Sequence, residues 1–353
     1  MNDTIYINGR FLTSPLTGIN RFAYELCLEL SKLTDICVIV PKNFIHKDYD
    51  VSRFKIIEYG CFKSHIWEQF ILPLYFAFGG RKKSLLLNLS GIGPILFKNK
   101  ISTIHDVSFL HNKKWFSKSY YYLYKIFTPL SIKTSKRLFT VSEFSKNEIL
   151  KYYPFANENR IDIIYNAVRK EEEYAFNQLP QTDKYILAIG SLDPRKNFST
   201  LCRAMEKVLS NDVCLHIVGG GNQVFNFDES LISSNRVKFL GRISDEELKK
   251  EFLNSILFVQ PSLYEGFGIP PLEALAYGKD IAISDIPVFR EIFEDAAIYF
   301  DPNNPNDIAE KINDYLDEKV KIDPYSKERV LKKFSWEKSA DKIVGILTQI
   351  NDC

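Results

Sequence analysis

From about residue 184 onward, short β-branched runs alternate with helical stretches, and this alternation constrains the fold more than any other feature of the chain. Strand-like runs at Tyr185–Ile189, Cys214–Val218, Val237–Phe239, Ile256–Val259 and Ile281–Ile283 are separated by helical segments at Phe198–Leu209, Asp245–Asn254, Pro271–Tyr277 and Val288–Phe293. That succession is the signature of βα units and a parallel sheet. The first half has the same grammar with longer insertions: strands at Thr4–Asn8, Ile36–Val40, Leu85–Leu89, Ile101–Ile104 and Leu138–Val141, and a helix from Asn20 to Lys32. The expected class is α/β.

A chain of 353 residues is long for one hydrophobic core, so two domains are expected. Charge divides at the same place. Residues 1–170 carry 25 Lys and Arg against 13 Asp and Glu, whereas residues 171–353 carry 21 against 31. The apolar-poor, charged stretch Arg169–Pro180 is the natural linker. A basic first half suits an anionic partner, and two halves that attract each other would give the same split.

With 45% apolar and 25% charged residues, neither a disordered nor a membrane-embedded chain is expected. The most apolar stretch, Phe70–Phe78, is far shorter than the roughly 20 residues of a membrane span and is interrupted by Pro73. The N-terminus lacks a cationic segment leading into an apolar run, and the six cysteines form no C-x-x-C pair. A cytoplasmic chain with reduced thiols is expected.

Several loops between a strand and a helix carry residues suited to chemistry. In Pro261-Ser-Leu-Tyr-Glu265-Gly-Phe-Gly268-Ile-Pro-Pro-Leu-Glu273, Gly266 and Gly268 allow the backbone to approach an anion. Amides around Phe267 to Ile269 then face it from a helix N-terminus. Glu273 is suited to accept from a ribose diol, and Glu265, beside Tyr264, from sugar hydroxyls. A glycine turn with a capping glutamate would account for the same letters.

In Gly190-Ser191-Leu-Asp-Pro-Arg195-Lys196-Asn197, Arg195 offers a planar fork to phosphate oxygens and Lys196 a mobile point charge; an exposed basic turn is the plainer alternative. Further turns at Gly219-Gly220-Gly221 and Gly241-Arg242-Ile243 would let backbone meet a nucleobase, although tight βα turns use glycine for local reasons as well. In the first half, His105 ends a strand beside Asp106 and is a candidate to bind a hydroxyl or handle a proton. Gly18, Asn20 and Arg21 sit in a loop before a helix, where they are placed to close over a ligand.

Between Asp106 and Glu143 there are seven Lys and Arg and no acidic residue, interleaved with aromatics. This composition reads as a surface for anionic lipid, or as an aromatic core with solvated lysines. No nucleic-acid recognition motif accompanies it. The D-x-D at Asp48-Tyr-Asp50 lies in a polar turn, and Gly91-Ile-Gly93 lacks the third glycine of a dinucleotide fingerprint.

Taken together, these residues resemble glycosyltransferase family 4, whose members have the GT-B fold of two Rossmann-like, doubly wound domains facing across a cleft. The similarity is strongest from Ser262 to Glu273, and continues in Gly190–Asn197 and Gly241–Leu248. The first half is similar to a subgroup that builds bacterial surface polysaccharides, often with mannose, through Thr17–Arg21, Trp67-Glu68, Thr103–Asp106 and Val141–Lys146. The resemblance implies an acceptor-binding domain at 1–170, a nucleotide-sugar domain at 171–335 and a C-terminal helix at 336–353 that returns to the first domain.

It also implies a retaining, metal-independent transferase without cofactor, acting at the inner membrane face. The donor would be a GDP-, UDP- or dTDP-sugar, with GDP-mannose the first expectation, and the acceptor lipid-linked or an oligosaccharide. His105, Glu265, Lys196 and Arg195 would be catalytic. Gly190, Ser191, Gly219, Gly220, Gly241, Arg242, Ile243, Tyr264, Gly266, Phe267, Gly268, Ile269 and Glu273 would hold the donor. Ser191 departs from the arginine frequent in the family, which keeps open a non-catalytic nucleotide-sugar-binding subunit; a sugar-nucleotide epimerase is the other alternative.

Overall fold

The structure, a computed structural model, describes residues 4–78, 81, 83–168, 184–220 and 235–351. It divides into two compact units, residues 1–166 with 335–353 and residues 167–334. The stretch expected to link them, 169–180, lies outside the described residues, as do Gly221 and Cys353.

The first unit is built on seven strands: β1 (Ile5–Asn8), β2 (Ile36–Val40), β3 (Lys55–Glu58), β4 (Leu86–Asn88), β5 (Lys100–Thr103), β6 (Arg137–Thr140) and β7 (Ile161–Ile163). They pair in parallel in the order β3-β2-β1-β4-β5-β6-β7. β2, Ile-Cys-Val-Ile-Val, is buried at every position, which is why it reads as a continuous apolar run and not as an alternation. Helix Gly18–Leu33 buries Phe22, Ala23, Leu26, Cys27 and Leu30. Against the same helix packs Trp336–Asn351 from the far end of the chain: the Trp336 ring meets Phe22 edge-on at 5.9 Å, and Ser339 Oγ donates to the Tyr165 carbonyl at 2.8 Å.

The second unit has six strands: β8 (Lys184–Ile189), β9 (Val213–Val218), β10 (Val237–Gly241), β11 (Leu257–Gln260), β12 (Ile281–Ser284) and β13 (Ile298–Phe300). Their order is β10-β9-β8-β11-β12-β13, again all parallel. Helix Phe198–Met205 presents Leu201, Ala204 and Met205 to a core shared with Leu215, Ile217 and Leu257.

In both sheets the chain starts near the middle, builds to one side, then resumes on the other. The reversal falls between β1 and β4 in the first unit and between β8 and β11 in the second. Loops leaving such a pair of strands diverge, and open α/β sheets bind ligands in the resulting crevice at strand C-terminal ends.

Candidate functional site

At the β8/β11 crevice two loops of different origin are tied together by charge. After β8, a short 3₁₀ turn (Pro194–Lys196) is capped by Asp193, whose carboxylate accepts from the Arg195 amide at 3.0 Å. Asn197 then adopts the left-handed conformation (φ 57°), which asparagine tolerates better than most residues. Its side chain brackets two further loops by donating to the carbonyls of Pro261 (3.1 Å) and Pro302 (2.7 Å). The Leu263 amide donates to the Arg195 carbonyl at 2.8 Å and completes the junction.

Glu265 lies at its centre. Lys196 Nζ donates to Oε1 at 2.6 Å, Ser262 Oγ donates to the same oxygen at 2.7 Å, and Arg195 Nη1 donates to Oε2 at 3.1 Å. Arg195 Nη1 also reaches the Tyr264 carbonyl at 3.1 Å. Burial alone would raise the Glu265 carboxyl, but Lys196 and then Arg195 outweigh it and hold it down to about 2. The carboxylate is therefore ionised throughout the physiological range, and the three side chains together carry one net positive charge. Lys196 is buried and fixed by a short bond, so it is a positioned cation and not the mobile one its sequence context suggested. The pair Arg195 and Lys196 is likewise no exposed basic turn.

Beyond Glu265 the chain enters helix Ile269–Ala276 through Gly268 (φ 116°), where an added Cβ would lie 2.8 Å from the Phe289 ring. Pro270 and Pro271 have no N–H, so Gly268 and Ile269 carry the backbone N–H groups at the helix start. Tyr264, Gly266 and Phe267 are buried beside them, and Glu273 is half-buried four residues into the helix. Ser191 is already engaged, its hydroxyl donating to Asp193 at 2.5 Å.

The glycine turns of neighbouring strands interlock. Gly190 N donates to the Val218 carbonyl at 2.9 Å, and Gly219 N donates to the Gly241 carbonyl at 2.8 Å. Both amides are spent on the fold, which leaves Gly220, the exposed Arg242 and the half-buried Ile243 as the surface of this edge. A Cβ at Gly220 would press on Arg242 at 2.9 Å.

In the first unit, His105 follows β5 and differs from its expected role in two ways. Its Nε2 donates to the Leu89 carbonyl at 3.1 Å, which fixes the tautomer and leaves Nδ1 as an acceptor. Burial pushes its pKa down to about 4, against weaker opposing effects from the Leu89 carbonyl and Asp106, so the ring is neutral at pH 7 and is no switch there. Asp106 does not pair with it; Oδ1 accepts from Ser108 N and Oγ at 2.8 and 2.6 Å. Gly18, Asn20 and Arg21 are the first turn of helix Gly18–Leu33 and not a loop. Asn20 Nδ2 instead ties down the preceding loop through Ser14 Oγ and the Pro15 carbonyl, both at 3.0 Å. Asp48 and Asp50 accept from the amides of Leu16 and Ser52 and so organise turns.

Sequence reasoning missed a second polar cluster, at the β1/β4 crevice. Glu68, fully buried in a π-helical turn (Trp67–Ile71), accepts from Asn8 Nδ2 at 2.8 Å and Arg10 Nε at 3.0 Å on Oε1, and from His65 Nδ1 at 3.3 Å on Oε2. Asn8 also donates to Asn88 at 2.6 Å. Trp67-Glu68 stood out only as part of a motif, yet π-turns concentrate at functional sites and a fully buried carboxylate requires partners.

Residues 169–333 match the family described as glycosyl transferases group 1. The sequence is 28% identical over 308 residues to an O-antigen chain mannosyltransferase of Salmonella typhimurium, covering 82% of this chain and 84% of that protein. It is 25% identical to O-antigen chain mannosyltransferase B of Escherichia coli, covering 94% and 96%. Among solved structures, a sucrose-phosphate synthase from Thermosynechococcus elongatus superposes with a TM-score of 0.74 at 18% identity, over 99% of both chains. An Anabaena protein in complex with UDP and glucose gives 0.74 at 14% identity, over 98% of this chain and 100% of that one. The chain thus has the GT-B fold, residues 169–333 match a glycosyl transferases group 1 domain, and its relatives support a glycosyltransferase.

Proposed function

We propose that the chain is a retaining, metal-independent hexosyltransferase that moves mannose from GDP-mannose to a lipid-linked or oligosaccharide acceptor in O-antigen or related surface polysaccharide synthesis. The observation that carries this reading is the Arg195–Glu265–Lys196 cluster at the β8/β11 crevice. Two cations positioned by one carboxylate, beside the amides of Gly268 and Ile269, form a preorganised receptor for a departing nucleoside diphosphate. Mannose is taken from the two O-antigen relatives; the UDP-bound neighbour supports a nucleotide-sugar donor but not its base.

In this mechanism the bond from the anomeric carbon to the β-phosphate oxygen breaks, and its electrons go to the diphosphate held by Arg195 and Lys196. The acceptor hydroxyl attacks the same face, and its proton passes to the departing phosphate oxygen. In the first unit His105, neutral with Nδ1 as an acceptor, is suited to take a hydrogen bond from a sugar hydroxyl. Glu273 receives the ribose diol, and the edge from Gly220 to Ile243 receives the base.

A membrane-facing role is supported by two exposed apolar rows of helical spacing in the first unit. Ile66, Phe70, Leu74 and Phe78 form one, and Tyr122, Ile126 and Leu130 the other, each flanked by lysines. Such rows suit a peripheral enzyme that takes its acceptor from an anionic, cytoplasmic-facing lipid surface. No described helix is long and apolar enough to cross a membrane.

The test is direct. Purified protein is incubated with GDP-, UDP- and dTDP-sugars and a prenyl-diphosphate-linked glycan, with and without excess chelator, and the anomeric configuration of the product is read by NMR. Transfer from GDP-mannose with retention in chelator is the expected result. Inversion, or dependence on a divalent metal, overturns the mechanism; donor isomerisation without acceptor overturns the transferase.

A further inference from the structure

The two crevices share an arrangement that the proposed reaction uses only once. In the second unit, a loop cation after the first central strand, Arg195, is clamped by a buried glutamate, Glu265. In the first unit, Arg10 follows β1 and is clamped by Glu68. Glu68 is fully buried and holds Arg10 by Nε alone, while Asn8 steadies both ends of the loop by donating to Glu68 and accepting from the Arg10 amide at 3.1 Å.

That geometry leaves the outer edge of the guanidinium unused. Neither Nη of Arg10 has a hydrogen-bond partner among the described residues. Its Nη2 lies over Gly91 so closely that a Cβ there would come within 2.0 Å, and Gly91 itself has φ +71°. The loop after β4 has therefore been kept bare for the guanidinium to pass. In the same loop the buried Ser90 hydroxyl has no partner among the described residues, whereas buried hydroxyls are ordinarily paired.

On the other side, the ring of Tyr124 stacks on Tyr120 at 4.2 Å and Tyr120 on Phe116 at 5.0 Å, one aromatic row that begins just before helix Lys118–Thr134 and continues into its first turns. Both tyrosines are close enough to the guanidinium to act on its charge. His65, held through Nδ1 by the second oxygen of Glu68, sits edge-on to Tyr124 at 6.5 Å.

We propose that Arg10, oriented by Glu68 and Asn8 at the β1/β4 crevice, is a second oxyanion site that binds the phosphoryl group of a diphosphate-linked acceptor. A guanidinium pinned by Nε and presenting its two Nη groups is prepared for two parallel bonds to phosphate oxygens. The buried carboxylate sets its direction and tempers its charge, so that a ligand is held without being trapped. The aromatic row beside it suits the first prenyl units that follow such a diphosphate. This assignment rests on the transferase reading for the identity of the ligand, but the anion site itself does not.

Calorimetric titration of the full chain with inorganic pyrophosphate separates the two. Wild type is expected to take two pyrophosphates, of which GDP or UDP displaces one. Arg10→Gln, and Arg10→Gln/Glu68→Gln, which removes both buried charges and protects the fold, are expected to lose the undisplaced one. Lys196→Met is expected to lose the other. In turnover, the same Arg10 variants raise the KM for a prenyl-diphosphate-linked glycan by about tenfold, the 1.4 kcal/mol of a lost charge-assisted bond, and leave the donor KM unchanged. A phosphate-free glycan acceptor shows no such rise, which ties the anion to the acceptor linker and not to free phosphate.

Unchanged pyrophosphate binding in both folded Arg10 variants overturns the site. Weakened binding of the nucleoside diphosphate instead would assign Arg10 to the donor and overturn the acceptor role. If pyrophosphate binds at Arg10 while no sugar is transferred, the site stands and the transferase reading fails.

Discussion

Lys196 Nζ stands 2.6 Å from Glu265 Oε1, an ion pair buried at the β8/β11 crevice between residues 69 apart in sequence. Each partner is otherwise expensive to bury: a lysine or a glutamate alone in this position would shift its pKa or unfold the loop. The pair fixes the loop after β8 to the loop after β11, so the proposed phosphate receptor and the junction of the two loops are one structure.

Glu265→Gln leaves Arg195 and Lys196 without their carboxylate and is expected to destabilise the second unit by about 3 kcal/mol, measured by urea unfolding at pH 7. The folded pKa is held below the unfolded value. This contribution is present above about pH 4.5 and is lost as pH falls toward about 2. Acid titration of stability should show that loss in wild type and not in the variant.

His105 titrates in a different window. Its folded pKa of about 4 lies below the ordinary 6.5, so between these values the unfolded chain holds the extra proton and stability falls as pH falls from about 6.5 to 4. His105→Gln should flatten that segment, by about 3 kcal/mol at pH 4. The pH dependence of turnover above about pH 6 should be indifferent to His105, because the ring is already neutral there.

Lys196→Ala is expected to lower kcat by about 100-fold or more, with a smaller change in donor KM, because in the proposed mechanism the cation stabilises charge that grows as the diphosphate departs. Steady-state rates with a fixed acceptor decide it. Near-native turnover would remove Lys196 from the catalytic group.

Two glycines on the same sheet edge should respond differently to alanine. At Gly219 (φ 141°) a Cβ would lie 1.9 Å from the Gly190 carbonyl oxygen, backbone that cannot give way, so Gly219→Ala should cost about 3 kcal/mol or more. At Gly241 (φ 67°) nothing lies within 4 Å, and Gly241→Ala should cost only about 1 kcal/mol of left-handed strain. Thermal unfolding of both variants makes the comparison.

Lys100, fully buried at the start of β5, donates to the Phe97 carbonyl and to Thr134 Oγ1, and burial pushes its pKa down to about 7. Between about pH 7 and 10.5 the unfolded chain holds the extra proton, so stability rises with pH across that range. Lys100→Met should abolish the rise and stabilise the protein near neutrality by about 1–4 kcal/mol, read from urea unfolding at pH 7 and pH 9.

The strands missed in the sequence share a place in the fold. β3, β7 and β13 are short strands at the edges of their sheets, and each pairs on one side only. Edge strands need neither the length nor the continuous apolarity that burial on both faces imposes, so Lys-Ile-Ile-Glu and Ile-Asp-Ile give little periodic signal. The central strands β2, β8 and β9, buried along most of their length, were legible almost to the residue.

The sequence by itself determined the α/β class, the repeated strand-helix unit and the loops at strand ends that carry Glu265, Arg195, Lys196 and His105, because each is written in neighbouring residues through backbone preference and burial. Only the tertiary structure decided that Glu265 sits between Arg195 and Lys196, that His105 is neutral and donates to Leu89, and that Arg10 meets Glu68. The physical reason is strand order. The placing of β11 beside β8 and of β4 beside β1 is a property of the whole sheet, set by how its faces are buried, and no local run of residues specifies it.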